Sequence, residues 1–265
     1  MQGRLSPAEN GRFQFFPTDW PAEFSQAKSI GLDGICWFLD LDKPGFDPIK
    51  NVWGDPQVLS EIDKSIKILP IRGVDTGVYG FFGAGVSNTI SAFKIFLPAV
   101  ADRLTGGILS IPLLEKNFPK SEIEKKETAK SLRQIANLGK TLGLRFALEM
   151  EWPVEQATDF LNFLNCENIG ICYDIGNATS YGFDCPSEIR RLNKKIFDVH
   201  LKDRRVDQTQ SMLLGTGDAD FAGCFQALKE IDYEGGLTMQ AWRGDDYLKD
   251  TATQLIFVKK CLSSR

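Results

Sequence analysis

Ser121–Met150, SEIEKKETAKSLRQIANLGKTLGLRFALEM, carries one complete unit of a pattern that repeats along this chain. From Ser121 on, charged residues fill one side of the stretch, Leu132, Ile135, Ala136 and Leu138 fill the other, and Gly143 is a stop, so a helix is predicted over 121–142. The sequence then turns into Leu144-Arg-Phe-Ala-Leu-Glu-Met150, an apolar run too short for a second helix and interrupted near its end by a carboxylate. Three later runs have the same form: Asn168-Ile-Gly-Ile-Cys-Tyr-Asp-Ile175, Ile196-Phe-Asp-Val-His-Leu-Lys202 and Gly236-Leu-Thr-Met-Gln-Ala-Trp242. Each holds a polar residue inside it or at its end: Glu149, Asp174, His200 and Gln240. Strands separated by helices run parallel, and their C-terminal ends open on one face. The reading is α/β, a (β/α)8 TIM barrel in a single domain over residues 1–265. Its mouth gathers these four residues as ligands of one divalent metal ion, and their oxygen and imidazole donors suit Mn, Mg, Co or Zn.

The rest of the chain keeps the rhythm. Asp19 is a cap for a helix through about Ser29, followed by a strand over 34–39. Asp55-Pro56 starts a helix that ends before a strand over 66–71. Helical spacing covers 87–104, and Gly106-Gly107 leads into a strand over 108–114. Helices are also predicted over 153–164, 186–192, 221–231 and 247–262. With Met1–Leu5 as the opening strand the count reaches eight. The connections after strands, notably 40–54, 75–86, 176–185 and 202–220, exceed those before them, and in a barrel they lie on the catalytic face.

Composition restricts the classes. The 265 residues are 43% hydrophobic and 25% charged with a net charge of −4, which fits one large domain and offers no general basic field for nucleic acid or an anionic membrane. No apolar run suggests a membrane span, and no signal peptide is expected. The six cysteines are scattered without a CxxC pair, which fits a reducing cytoplasm.

Each candidate has an ordinary structural explanation beside the functional one. A salt bridge to Lys or Arg would account for Glu149 alone, and a hydrogen-bonded core position for His200, the single histidine of the chain. Four such positions at successive strand ends favour the ligand reading. These residues also carry a resemblance. The opening Met1-Gln-Gly-Arg-Leu-Ser-Pro7, then Leu148-Glu149, Asp174-Ile-Gly-Asn177, Val199-His-Leu-Lys-Asp203 and Gly215-Thr-Gly-Asp-Ala-Asp220, resemble in order and spacing the xylose-isomerase-like barrels of the sugar and sugar-phosphate isomerase/epimerase group.

The resemblance implies metal ligands at Glu149, Asp174 and His200, with Gln240 where relatives carry a fourth ligand, Glu. Asn177 stands where many relatives have His, and Cys36 where many have Glu. The implied reaction removes a proton beside a carbonyl to give an enediolate, with Glu149 as base. Gln240 ligates through its amide oxygen but takes no proton, which weighs against a two-base epimerase mechanism. Lys202, Asp203 or Asp75 would then complete a different acid/base pair, unless Glu149 alone serves an isomerase.

Arg204, Arg205 and Arg243 follow the last strands, where barrels build phosphate sites; surface pairing with nearby Asp residues is equally consistent. Arg4, Trp37, Trp152 and Asn177 complete the expected substrate contacts. The partner is a small-molecule sugar or sugar phosphate, and a homo-oligomeric state is left open. A metal-dependent dehydratase of the same superfamily and a catalytically silent sugar- or metal-binding barrel are the competing readings. A three-metal endonuclease site needs more than one histidine.

Overall fold

The computed structural model describes residues 1–6, 20–40, 55–78 and 80–263. The expected cap at Asp19 and most of the 40–54 connection lie outside the described residues. Seven strands alternate with helices: α1 Pro21–Ser29, β1 Ile35–Asp40, α2 Pro56–Ser65, β2 Ile71–Gly77, α3 Val86–Ala101, β3 Leu104–Leu113, α4 Glu122–Lys140, β4 Arg145–Met150 and α5 Val154–Leu164. The second half adds β5 Ile169–Asp174, α6 Ile175–Ser180, α7 Cys185–Leu192, β6 Ile196–Leu201, α8 Phe221–Glu230, β7 Gly236–Met239 and α9 Tyr247–Ser263. The strands pair in sequence order and all in parallel. They form a nearly closed TIM barrel with the helices around it.

Closure falls to Met1 and Gln2. The Gln2 amide donates to the Met239 carbonyl at 3.0 Å, and the Met1 carbonyl accepts from the Cys36 amide at 2.7 Å. The expected opening strand over 1–5 is therefore a single bridge at Gln2. Gly3 follows at φ 83°, which turns the backbone out of the ladder. A second correction concerns the strand expected over 66–71. Ile66 and Ile68 belong to the turn that ends α2, donating to Ile62 and Ser65 carbonyls, and the strand starts at Ile71. Its inner face carries Gly73 and Asp75, so it lacks a continuous apolar run.

Helix α4 forms as its sequence predicts. Ser121 and Glu124 make a reciprocal capping box, an arrangement whose cap contributes about 1 kcal/mol. Leu132, Ile135 and Ala136 are buried, and Gly139 faces the Phe146 ring so closely that a Cβ there would lie 2.4 Å from it. The main core sits between the outer faces of the strands and the helices. The barrel interior is different: its apolar part is a small cluster of Ile108, Ala147 and Cys172, and polar side chains fill the space toward the mouth.

One helical stretch, Gly83–Ala101, is long and apolar enough to cross a membrane by length and composition, contrary to the expectation from sequence. Phe93, Phe96, Leu97 and Val100 on it are buried in the main core. All six cysteines are free thiols.

Candidate active site

Parallel register brings the chemistry to one end. Asp174 pairs with His200 across β5 and β6, His200 pairs with Thr238, and Glu149 ends β4 opposite Pro112. Gln240 follows β7, its amide donating to the Leu201 carbonyl at 3.1 Å. Because strand side chains alternate, Cys172 and Asp174 share the inward face of β5, as Asp198, His200 and Lys202 share that of β6.

Glu149 is buried, and its Oε1 accepts from Asn177 Nδ2 at 2.6 Å. Its Oε2 lies 3.8 Å from His200 Nδ1. Burial, reinforced by the Asp174 charge and only partly offset by Lys202, pushes the Glu149 carboxyl up to about 7. Asp174 accepts the Asn177 amide at 2.8 Å and pairs with Lys202 Nζ at 2.8 Å. Burial alone would raise Asp174, but the Lys202 ammonium holds it below the usual carboxylate range. Lys202 Nζ also donates to Asn177 Oδ1 at 3.4 Å, so Asn177 links Glu149 to the Lys202–Asp174 pair. Helix α6 makes this possible: Asp174 caps it, and Gly176 leaves room for the Lys202 stem, which would lie 2.7 Å from a Cβ there.

His200 is fully buried, and neither ring nitrogen makes a hydrogen bond among the described residues, although Nε2 lies 3.5 Å from Asp198 Oδ2. Gln240 Oε1 is likewise buried without a hydrogen bond. Four buried carboxylates, Asp75, Glu149, Asp174 and Asp198, gather here with the buried ammonium of Lys202. Burial, above all, also pushes Asp75 up to about 6. An imidazole without a close hydrogen bond and an unpaired amide oxygen beside these carboxylates fit a divalent cation, which Glu149, Asp174, His200 and Gln240 could hold.

The other sequence-predicted residues divide. Trp152 packs on Phe118 and Phe160 and lines a narrow cleft of about 30 Å³ with Glu149, Asp174, Asn177 and Tyr181. Arg204 is half-buried with its Nε shielded from solvent and without a hydrogen bond among the described residues. Trp37 is not a pocket wall: it points outward and packs on Trp20 and Phe24 beneath α1, because Cys36 takes the inward position on β1. Asp203 is not poised for proton transfer. It is fully buried and accepts amides from Gly215 at 2.8 Å, Gly217 at 2.9 Å and Ala219 at 3.3 Å, fixing the loop after β6.

Arg243 ties the end of β7 to the closing segment, donating to the Gln2 carbonyl at 2.9 Å and to Thr251 Oγ1 at 3.0 Å, instead of presenting its fork to a substrate. Arg4 is buried and donates to the Ser6 carbonyl and hydroxyl at 3.1 and 3.2 Å.

A family model described as xylose isomerase-like TIM barrel matches residues 98–261, more than half the chain. The chain belongs to that family. Within it, the chain groups with sugar isomerases and epimerases: it is 26% identical to an inosose isomerase of Bacillus velezensis over 263 aligned residues, covering 89% of this chain and 93% of that protein. It is 24% identical to an L-ribulose-5-phosphate 3-epimerase of Shigella boydii over 51% of this chain and 48% of the relative. Among solved structures, 3-keto-D-glucoside 4-epimerase of E. coli superposes with a TM-score of 0.74 at 19% identity, covering 98% of both chains. An L-ribulose 3-epimerase gives 0.75 at 18% identity, covering 94% of this chain and 91% of that one.

Three residues at this site were missed in the sequence. Asp198 stands two positions before His200, and Cys172 two before Asp174, so strand alternation from the known inward residue would have found both. Gln2, whose Nε2 donates to Asp75 Oδ2, gave no signal beyond its place in the opening segment.

Proposed function

We propose that the protein is a divalent-metal-dependent isomerase or epimerase of a sugar or sugar phosphate, acting through an enediolate with Glu149 as the base. The observation that carries this reading is the geometry at Glu149, a buried strand-end carboxyl with one oxygen fixed by Asn177 and the other toward His200. A carboxylate fixed in this way can take a proton from carbon and return it. A bound metal ion would supply Lewis-acid polarisation of the sugar's carbonyl and hydroxyl oxygens.

This chain's residues then define the proton route. Asn177 fixes Glu149 Oε1 and so orients the carboxylate toward the site. Gln240 accepts no proton. Asp75 is the other inward carboxyl with a raised proton affinity, but it is engaged by Gln2 and lies on the ladder beside Ser110, two residues below the Pro112–Glu149 pair. The arrangement favours one base shuttling a proton between adjacent carbons, as in aldose–ketose isomerisation. Epimerisation would call on Lys202 as the second proton carrier. Arg204, with its shielded guanidinium nitrogen, is the contact for an anionic substituent such as phosphate.

The names of the relatives, an inosose isomerase and ribulose-phosphate epimerases, set the substrate panel. The test is deuterium incorporation from heavy water, followed by NMR, across ketoses, inososes and their phosphates with Mn, Co, Mg or Zn supplied. Exchange that disappears in Glu149→Gln is the expected result. Sugar binding without exchange anywhere in the panel would overturn the enzyme reading in favour of a silent binding barrel.

A further inference from the structure

His200 is fully buried in the barrel interior, and neither ring nitrogen has a close hydrogen bond among the described residues. Nε2 lies 3.5 Å from Asp198 Oδ2, and Nδ1 faces the other side of the site. The ligand-bearing side chains gathered there are not the set expected from sequence. One ligand atom each from Glu149, Cys172 and His200 lie within 4.8 Å of one another, with the Glu149 Oε2 to His200 Nδ1 separation at 3.8 Å. Asp174 is committed elsewhere, one oxygen to Lys202 and the other to the Asn177 amide.

We infer that Cys172 is a ligand in a second, thiophilic coordination mode of this site, in which Glu149, His200 and Cys172 hold a zinc- or cobalt-class ion without Asp174. The inference rests on the reading of the barrel mouth as a divalent-metal site. Cys172 shares the inward face of β5 with Asp174, sits opposite Asp198 in the ladder and packs on Ile108 and Ala147. An ion drawn to its sulfur lies deeper in the barrel than one held by Asp174 and Gln240. Thiolate favours zinc and cobalt over manganese and magnesium, and the thiol proton passes to solvent as the metal–sulfur bond forms. Manganese or magnesium needs Asp174 freed from Lys202, whereas zinc does not. Zinc therefore occupies the deep mode, competes with the harder ions and inhibits turnover.

Cobalt(II) titration of the purified protein under reducing conditions tests this without reference to activity. The expected result is a sulfur-to-cobalt charge-transfer band in the near ultraviolet. Cys172→Ser, nearly isosteric, should lose the band and lose zinc affinity by on the order of 100-fold, with manganese affinity by paramagnetic resonance unchanged. Cobalt bound by the wild type without a sulfur band, or with a band that survives in Cys172→Ser, overturns the thiophilic mode and leaves the metal-site reading standing. No binding of cobalt or manganese by the wild type removes both.

Discussion

Glu149→Gln is expected to stabilise the metal-free protein at about pH 8 even as it removes the base. The folded protein holds the Glu149 carboxyl at about 7 against an ordinary value of 4.5, chiefly because burial strips water from the carboxylate and Asp174 adds a like charge. Over that window the folded state binds more protons than the unfolded chain, so this group's contribution to stability is fully present below 4.5 and is lost as pH rises to 7. Ionising the buried group therefore carries a penalty on the order of 3 kcal/mol.

Glutamine carries no charge to bury. Its carbonyl can still accept from Asn177 Nδ2. Asp75, raised from 3.8 to about 6, tilts the lower part of the same curve in both proteins, so the upper part, between about 6 and about 7, is diagnostic for Glu149. Urea unfolding in the presence of a chelator, from about pH 5 to about pH 8, gives the comparison. The variant should show a flatter profile in the upper window and exceed the wild type above it. A variant less stable than the wild type at about pH 8, or one with the same slope between about 6 and about 7, would refute the assignment of a buried, penalised carboxylate to Glu149.

Gly176→Ala places a Cβ 2.7 Å from Lys202 Cγ and 2.8 Å from its backbone carbonyl carbon, which cannot rotate away. Stability should fall by about 1–3 kcal/mol, measured by urea unfolding, with proton exchange lost as Lys202 leaves Asp174. Asp203→Asn leaves one carbonyl oxygen to serve three backbone amides, a local loss of about 1–3 kcal/mol. Hydrogen exchange at Gly215 and Gly217 should accelerate more than exchange in the strands while substrate deuteration persists; loss of deuteration with the loop unchanged would restore Asp203 to proton transfer.

The legible part of the sequence reflects the two faces of a barrel strand. The outer face meets helices and stays apolar, while the inner face near the mouth is polar. A strand is therefore easy to find when its outer residues dominate, as in Phe146 and Leu148 of β4, and its inner residues are readable when one of them is chemically conspicuous. Glu149, Asp174 and His200 supplied that anchor for β4, β5 and β6.

Strands β1 and β2 offered no anchor. In β1 the conspicuous residue was Trp37, which alternation sends outward into the Trp20 and Phe24 rings, while the quiet Cys36 faces in. In β2, Gly73 and Asp75 on the inner face broke the apolar run, and the isoleucines of the preceding turn looked more like a strand than the strand did. Helix α6 stayed hidden for a related reason: Ile175–Ser180 is too short and too small in side chain for a helical stripe, and its start depends on the Asp174 carboxylate already assigned to the site. The same alternation, carried two residues down from His200 and Asp174, leads to Asp198 and Cys172. Side-chain chemistry identifies the first inward residue of a barrel strand, and backbone geometry supplies the others, so an error in the first inverts the whole strand.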